Sequence, residues 1–159
     1  MKKGLFAILI LPISCILFLS SEAKGETAIN WQEAFVTVES DMKQIEGHDG
    51  HFIGIMHQRG FAFYEDGETA TVKAWLTFER SGPETSYSGY AVYKFLDGTT
   101  KVARLKGSGD PRGKQTGEFA FKGGTGRFEG ISGSGDFQGQ GFPPHGDIYV
   151  NVAGTYSLP

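Results

Sequence analysis

The stretch Phe119-Ala-Phe-Lys-Gly-Gly-Thr-Gly-Arg-Phe-Glu-Gly-Ile-Ser-Gly-Ser-Gly-Asp-Phe137 decides the fold. It opens as an alternating strand on Phe119 and Phe121 and breaks at Gly123-Gly124. It turns through Thr125 to Gly130 and resumes with Gly133, Gly135 and Phe137. Glycine at this density supplies positive φ values and lets two backbones approach closely, so it marks a sharp corner between strands. Corners of this kind close small antiparallel barrels.

Outward from the corner, the chain from Glu33 reads as strands punctuated by turns. Ala70, Val72, Ala74, Leu76 and Phe78 share one face of a strand, and Thr71, Lys73, Trp75 and Thr77 share the other. That period of two is the mark of a half-buried strand. Asp66-Gly67 and Asp97-Gly98 are hairpin turns, because both dipeptides accept left-handed geometry. Longer loops are expected at Ser81-Gly82-Pro83, at Gly107 to Gly113 and at Pro143-Pro144-His145-Gly146. Between them, strands are expected near residues 34–38, 51–64, 69–80, 86–96, 100–106, 115–122, 132–141 and 147–157. A short helix is a candidate at Glu39 to Ile45, and a bulge at Arg59-Gly60. The expectation is one all-β domain over residues 30–159, an eight-stranded antiparallel β-barrel in meander order. A two-sheet sandwich is its rival.

The first 23 residues read as a cleavable signal peptide: Lys2 and Lys3, an apolar run from Leu5 to Leu19, and small residues before a cut near Ala23. The run contains Pro12 and is shorter than the ~20 residues a membrane-spanning helix needs. A lipidated Cys15 is disfavoured, because the apolar run continues beyond it. The expected localisation is secreted or periplasmic, with no membrane attachment after cleavage. Cys15 is the only cysteine, so the processed chain has no disulfide and must stand on its core. A formal net charge of −3 with both signs scattered leaves no basic stripe for nucleic acid.

At Gly123-Gly124-Thr125-Gly126-Arg127-Phe128-Glu129-Gly130 the chain resembles the Gly-Gly-(Thr/Ser)-Gly-x-Phe-x-Gly corner of the allene oxide cyclase-like and dirigent-like β-barrel family. Gly133, Gly135 and a closing Gly154-Thr155-Tyr156 extend the likeness. The resemblance implies eight antiparallel strands around an apolar cavity, a fold whose members often trimerise. It implies a structural role for Gly123, Gly124, Gly126 and Gly130, with Phe128 plugging the barrel end. It carries no catalytic residue onto this chain.

Four histidines invite a metal, but His51 and His57 lie six residues apart along one strand, about 20 Å if it is straight. No metal site and no cofactor are expected. His57 shares parity with Ile53 and Ile55: either it faces the barrel interior, where it would meet a ligand, or that whole face packs outward. Tyr87, Gly89, Ala91, Tyr93 and Phe95 share a face whose small residues leave room between rings for a planar ligand. Arg104 and Lys106 face water if Ala103 and Leu105 face inward. Asp136, Gln138 and Gln140, and likewise Trp31 and Glu33, lie on either side of the wall by sequence alone. No nucleophile elbow and no phosphate loop is present. The residues therefore support a barrel that binds a small apolar or aromatic molecule through His57, Tyr87, Tyr93 and Phe95. The alternatives are a cyclase- or dirigent-type isomerase and a self-associating module with Trp75 exposed.

Overall fold

The computed structural model describes residues 25–142 and 147–159. The segment read as a signal peptide, Cys15 and the loop with His145 lie outside the described residues.

Eight strands run in sequence order: β1 (Thr27–Gln44), β2 (His51–Tyr64), β3 (Thr69–Ser81), β4 (Glu84–Phe95), β5 (Thr100–Gly109), β6 (Lys114–Thr125), β7 (Ser132–Phe142) and β8 (Asp147–Ser157). Each pairs antiparallel with its neighbour, and β8 returns to β1 through the register Thr27 opposite Tyr156 to Phe35 opposite Ile148. The sheet is thus a closed barrel rather than a sandwich. Closure leaves no edge strand to template aggregation, which matters for a fold without disulfides.

Two expectations change. Glu39 to Ile45 is no helix, because β1 runs on to Gln44 with Glu39–Gln44 paired against Phe52–His57. Long-range pairing overrides the local preference of so short a segment. Arg59-Gly60 makes no bulge: β2 pairs without interruption to β3. Gly60 is there because a Cβ would strike the Ala34 carbonyl oxygen on β1. The register shifts lie instead between Thr37 and Glu39 in β1, and at Val102 and Ala103 opposite Gly123 and Phe121.

The inner face is set by alternation. Trp31, Ala62, Val72, Ala91, Ala103, Phe119, Phe137 and Val152 are buried on successive strands, with aromatic bulk set against alanine and glycine. The corner itself is a 3-10 turn, Gly126–Phe128, that folds Phe128 into the barrel end. Gly126 at φ 60° and Gly130 at φ 72° occupy the left-handed region, where a Cβ is disfavoured. The far end carries the β1–β2, β3–β4 and β5–β6 turns.

Candidate functional site

Two ionisable groups sit where an apolar barrel should have none. Glu33 projects inward from β1 at 5% exposure, and Lys101 from β5 at 1%. Isolated charges in such places cost several kcal/mol unless paired or hydrogen-bonded.

Lys101 is held by rings. Its Nζ lies 4.3 Å from the centroid of Tyr64, 4.9 Å from Phe95 and Phe128, 5.5 Å from Phe121 and 5.7 Å from Trp31. Their negative faces attract the ammonium, about 0.5–2 kcal/mol for a well-placed ring. Burial nevertheless pushes the Lys101 amine down to about 8, with Arg127 adding to the shift. Arg127 closes this end from outside: Nη1 meets Glu68 Oε1 at 2.7 Å, Nε meets Asp97 Oδ2 at 3.2 Å, and Cζ lies 4.7 Å over the Phe128 ring.

Glu33 lies on the other side of Trp31. The Trp31 indole Nε1 donates to Glu33 Oε1 at 2.6 Å, and the Tyr93 hydroxyl also hydrogen-bonds the carboxyl. Burial raises the Glu33 pKa against the opposing pull of these donors and of Lys101. The carboxyl therefore keeps its proton further up the pH scale than an ordinary glutamate.

Below Glu33, toward the mouth, is a slot of about 60 Å³. Met56, Leu76, Tyr87, Phe137 and Ile148 give it apolar walls, while Gln58, Gln115 and Tyr93 bring polar atoms. Gln58 is itself buried and donates to Thr37 Oγ1 at 3.2 Å. Tyr87 loses its phenolic acidity to burial. A larger concavity of about 1330 Å³ lies outside the barrel, between outward side chains such as Ile55, Thr77, Ser88 and Lys106. The inner slot is the better candidate because the perturbed carboxyl ends in it.

Of the residues singled out in the sequence, Tyr87, Tyr93 and Phe95 face inward, Tyr93 on Glu33 and Phe95 on Lys101. His57 does not face the cavity. The Ile53–Ile55–His57 face points outward, because the opposite parity of β2 carries Gln58, Ala62 and Tyr64 into the core. His57 stacks on Trp75 at 5.1 Å and 7°, and its Nε2 is buried with no hydrogen-bond partner among the described residues. Gly123, Gly124, Gly126, Phe128 and Gly130 form the corner as described, and Arg104 and Lys106 face solvent. His51 bonds Glu79 at 2.6 Å. Lys101 went unnoticed, although it shares parity with Ala103 and Leu105.

Fold and site together define a class: a small closed meander barrel with an acid buried at the end of its inner slot. No protein-family model matches the chain, and no curated protein matches it. Among solved structures, it is similar to the pterocarpan synthase dirigent protein GePTS1 at 15% identity and TM-score 0.49, over 96% of this chain and 100% of that one. It is also similar to a nonspecific heme-binding cyclase that catalyses [4 + 2] cycloaddition in neoabyssomicin biosynthesis. That match has 16% identity and TM-score 0.47, over 88% of this chain and 70% of that one. No residue role is transferred from either.

Proposed function

We propose that this barrel binds a small, largely apolar molecule in the inner slot and holds one of its oxygens against the Glu33 carboxyl. The supporting observation is Glu33 itself: a wholly buried acid with a raised pKa, hydrogen-bonded by Trp31 and Tyr93 at the end of an apolar slot. A carboxyl in its neutral form donates a hydrogen bond that a carboxylate cannot, so a carbonyl or ether oxygen is the favoured partner. At 60 Å³ the slot falls well below the ~300 Å³ where drug-sized pockets begin. A ligand larger than a few heavy atoms enters as Met56 and Tyr87, both partly exposed at the mouth, turn aside. Methionine suits that task because its side chain repacks at low cost.

A second reading rests on the same raised pKa. An acid that holds its proton to higher pH in an apolar slot can act as a general acid, so the barrel would steer an isomerisation or cyclisation by confinement and one proton.

The test is a thermal-shift screen of small apolar ketones, ethers and phenols against the native chain and Glu33→Ala. Binding to the folded state raises Tm by mass action. The expected result is a Tm rise for oxygen-bearing ligands that Glu33→Ala abolishes. A rise of equal size in both proteins sinks the role of Glu33, and no rise with any compound sinks the slot as a site.

A further inference from the structure

The outer face of β2, β3 and β4 carries six large exposed apolar side chains, with Arg59 and Lys73 paired across the face between two groups of them. Ile53, Ile55, Phe61, Phe63, Trp75 and Tyr90 all lie there, each 46–55% exposed. Exposed apolar surface of this extent marks a surface that something covers. Trp75 stands at its centre, between His57 on β2 and Tyr90 on β4 in the cross-strand register. The parallel His57 ring stacked at 5.1 Å fixes the indole in place, so little side-chain freedom is lost on contact.

The charges on β3 say what the cover is. Its outward residues run Lys73, Trp75, Thr77, Glu79, all exposed. Turned half a turn about an axis crossing β3 between Trp75 and Thr77, the series meets itself. Lys73 then faces Glu79 of a second copy, Trp75 faces Thr77, and each pairing occurs twice. A two-fold interface demands this self-complementarity. Within its own copy Glu79 Oε1 also meets His51 Nε2 at 2.6 Å, so the intermolecular Lys73 would join an existing contact.

We propose that this face is a homodimer interface in which two copies of β3 lie antiparallel across each other, with Trp75 as the buried anchor. The outer residues of three strands, spaced about 4.8 Å across and 6.7 Å along, give a footprint of about 500 Å² per copy, or about 1,000 Å² in total. That is the lower edge of a specific interface, so the dimer is reversible and concentration-dependent. Tryptophan is among the residues that most often dominate such contacts, and the Lys73–Glu79 pairs set its register.

Sedimentation velocity of the purified chain over a concentration series tests this, with circular dichroism confirming that each variant folds. The native chain is expected to pass from monomer to dimer as concentration rises. Lys73→Glu and Glu79→Lys are each expected to remain monomeric. The double variant Lys73→Glu/Glu79→Lys is expected to dimerise again, as is a one-to-one mixture of the two single variants. A chain that stays monomeric at the highest concentration overturns the proposal, as does a trimer. So does a dimer that both single variants leave intact.

Discussion

Lys101 and Glu33 make opposite demands on the proton, and their pH signatures separate them. Between about 8 and 10.5 the folded Lys101 binds fewer protons than the unfolded chain, so this group adds stability as pH rises through that window. A shift of this size corresponds to about 3 kcal/mol against the folded state at neutral pH, before the ring contacts are counted. Glu33 runs the other way: the folded state keeps a proton that the unfolded chain releases, so stability falls as pH climbs above the ordinary carboxylate range. Urea unfolding of Lys101→Met at several pH values should show about 1–3 kcal/mol more stability at pH 7 and no rise between pH 8 and 10. Above about pH 10 the buried hydroxyls of Tyr64, Tyr87 and Tyr93 reverse the trend in both proteins. Glu33→Gln keeps an acceptor for Trp31 and should flatten the fall above the carboxylate range; an unchanged slope would mean that another group carries it. Lys101 was legible in the alternation with Ala103 and Leu105. Glu33 was not, because the start of β1 has no turn residue to fix its phase until β2 and β8 pair with it.

Among the elements, the corner and the β1–β2 contact carry the clearest wagers. Phe128 is 8% exposed and packs 4.9 Å from Phe95, while Arg127 above it is 41% exposed at its side chain. Removing the ring leaves a hole worth about 3–5 kcal/mol, whereas exposed ion pairs contribute less than about 1 kcal/mol. Equilibrium unfolding of Phe128→Ala and Arg127→Ala should therefore differ several-fold in effect. Comparable losses would make the ion pairs, not the ring, the closure. Gly60→Ala should cost about 1–3 kcal/mol in the same assay, since its new methyl meets the β1 backbone rather than a side chain that can move. Turn chemistry located seven of the strands to within a few residues, because each hairpin announces itself in Asp-Gly, Gly-Pro or a glycine run. The first strand was misjudged at both ends. Its length is dictated by partners that lie elsewhere in the sequence.

At the scale of the whole molecule, the long strands and glycine-rich corners favour a barrel over a sandwich in the sequence, and the β1–β8 seam closes it. Gly117, Gly135 and Gly154 sit where a Cβ would meet Phe137, Phe119 or a neighbouring backbone, so the wall can curve tightly around large rings. Closure depends on Thr27–Phe35 finding Ile148–Tyr156, the most distant pairing in the chain. Such long-range seams place folding in the millisecond-to-second range. The same seam brings the start of β1 and the end of β8 to one rim, beside the turn that carries Phe128. Topologically the sheet is a ring with no first strand, and the order of synthesis is only one of eight ways to cut it. A circular permutant that links Ser157 to Thr27 through a short glycine-serine tether and opens at Gly82 should unfold in a single cooperative step with the Lys101 cage intact. Its tyrosine and tryptophan near-ultraviolet dichroism should match that of the parent, as expected if this architecture belongs to the circle rather than to the thread.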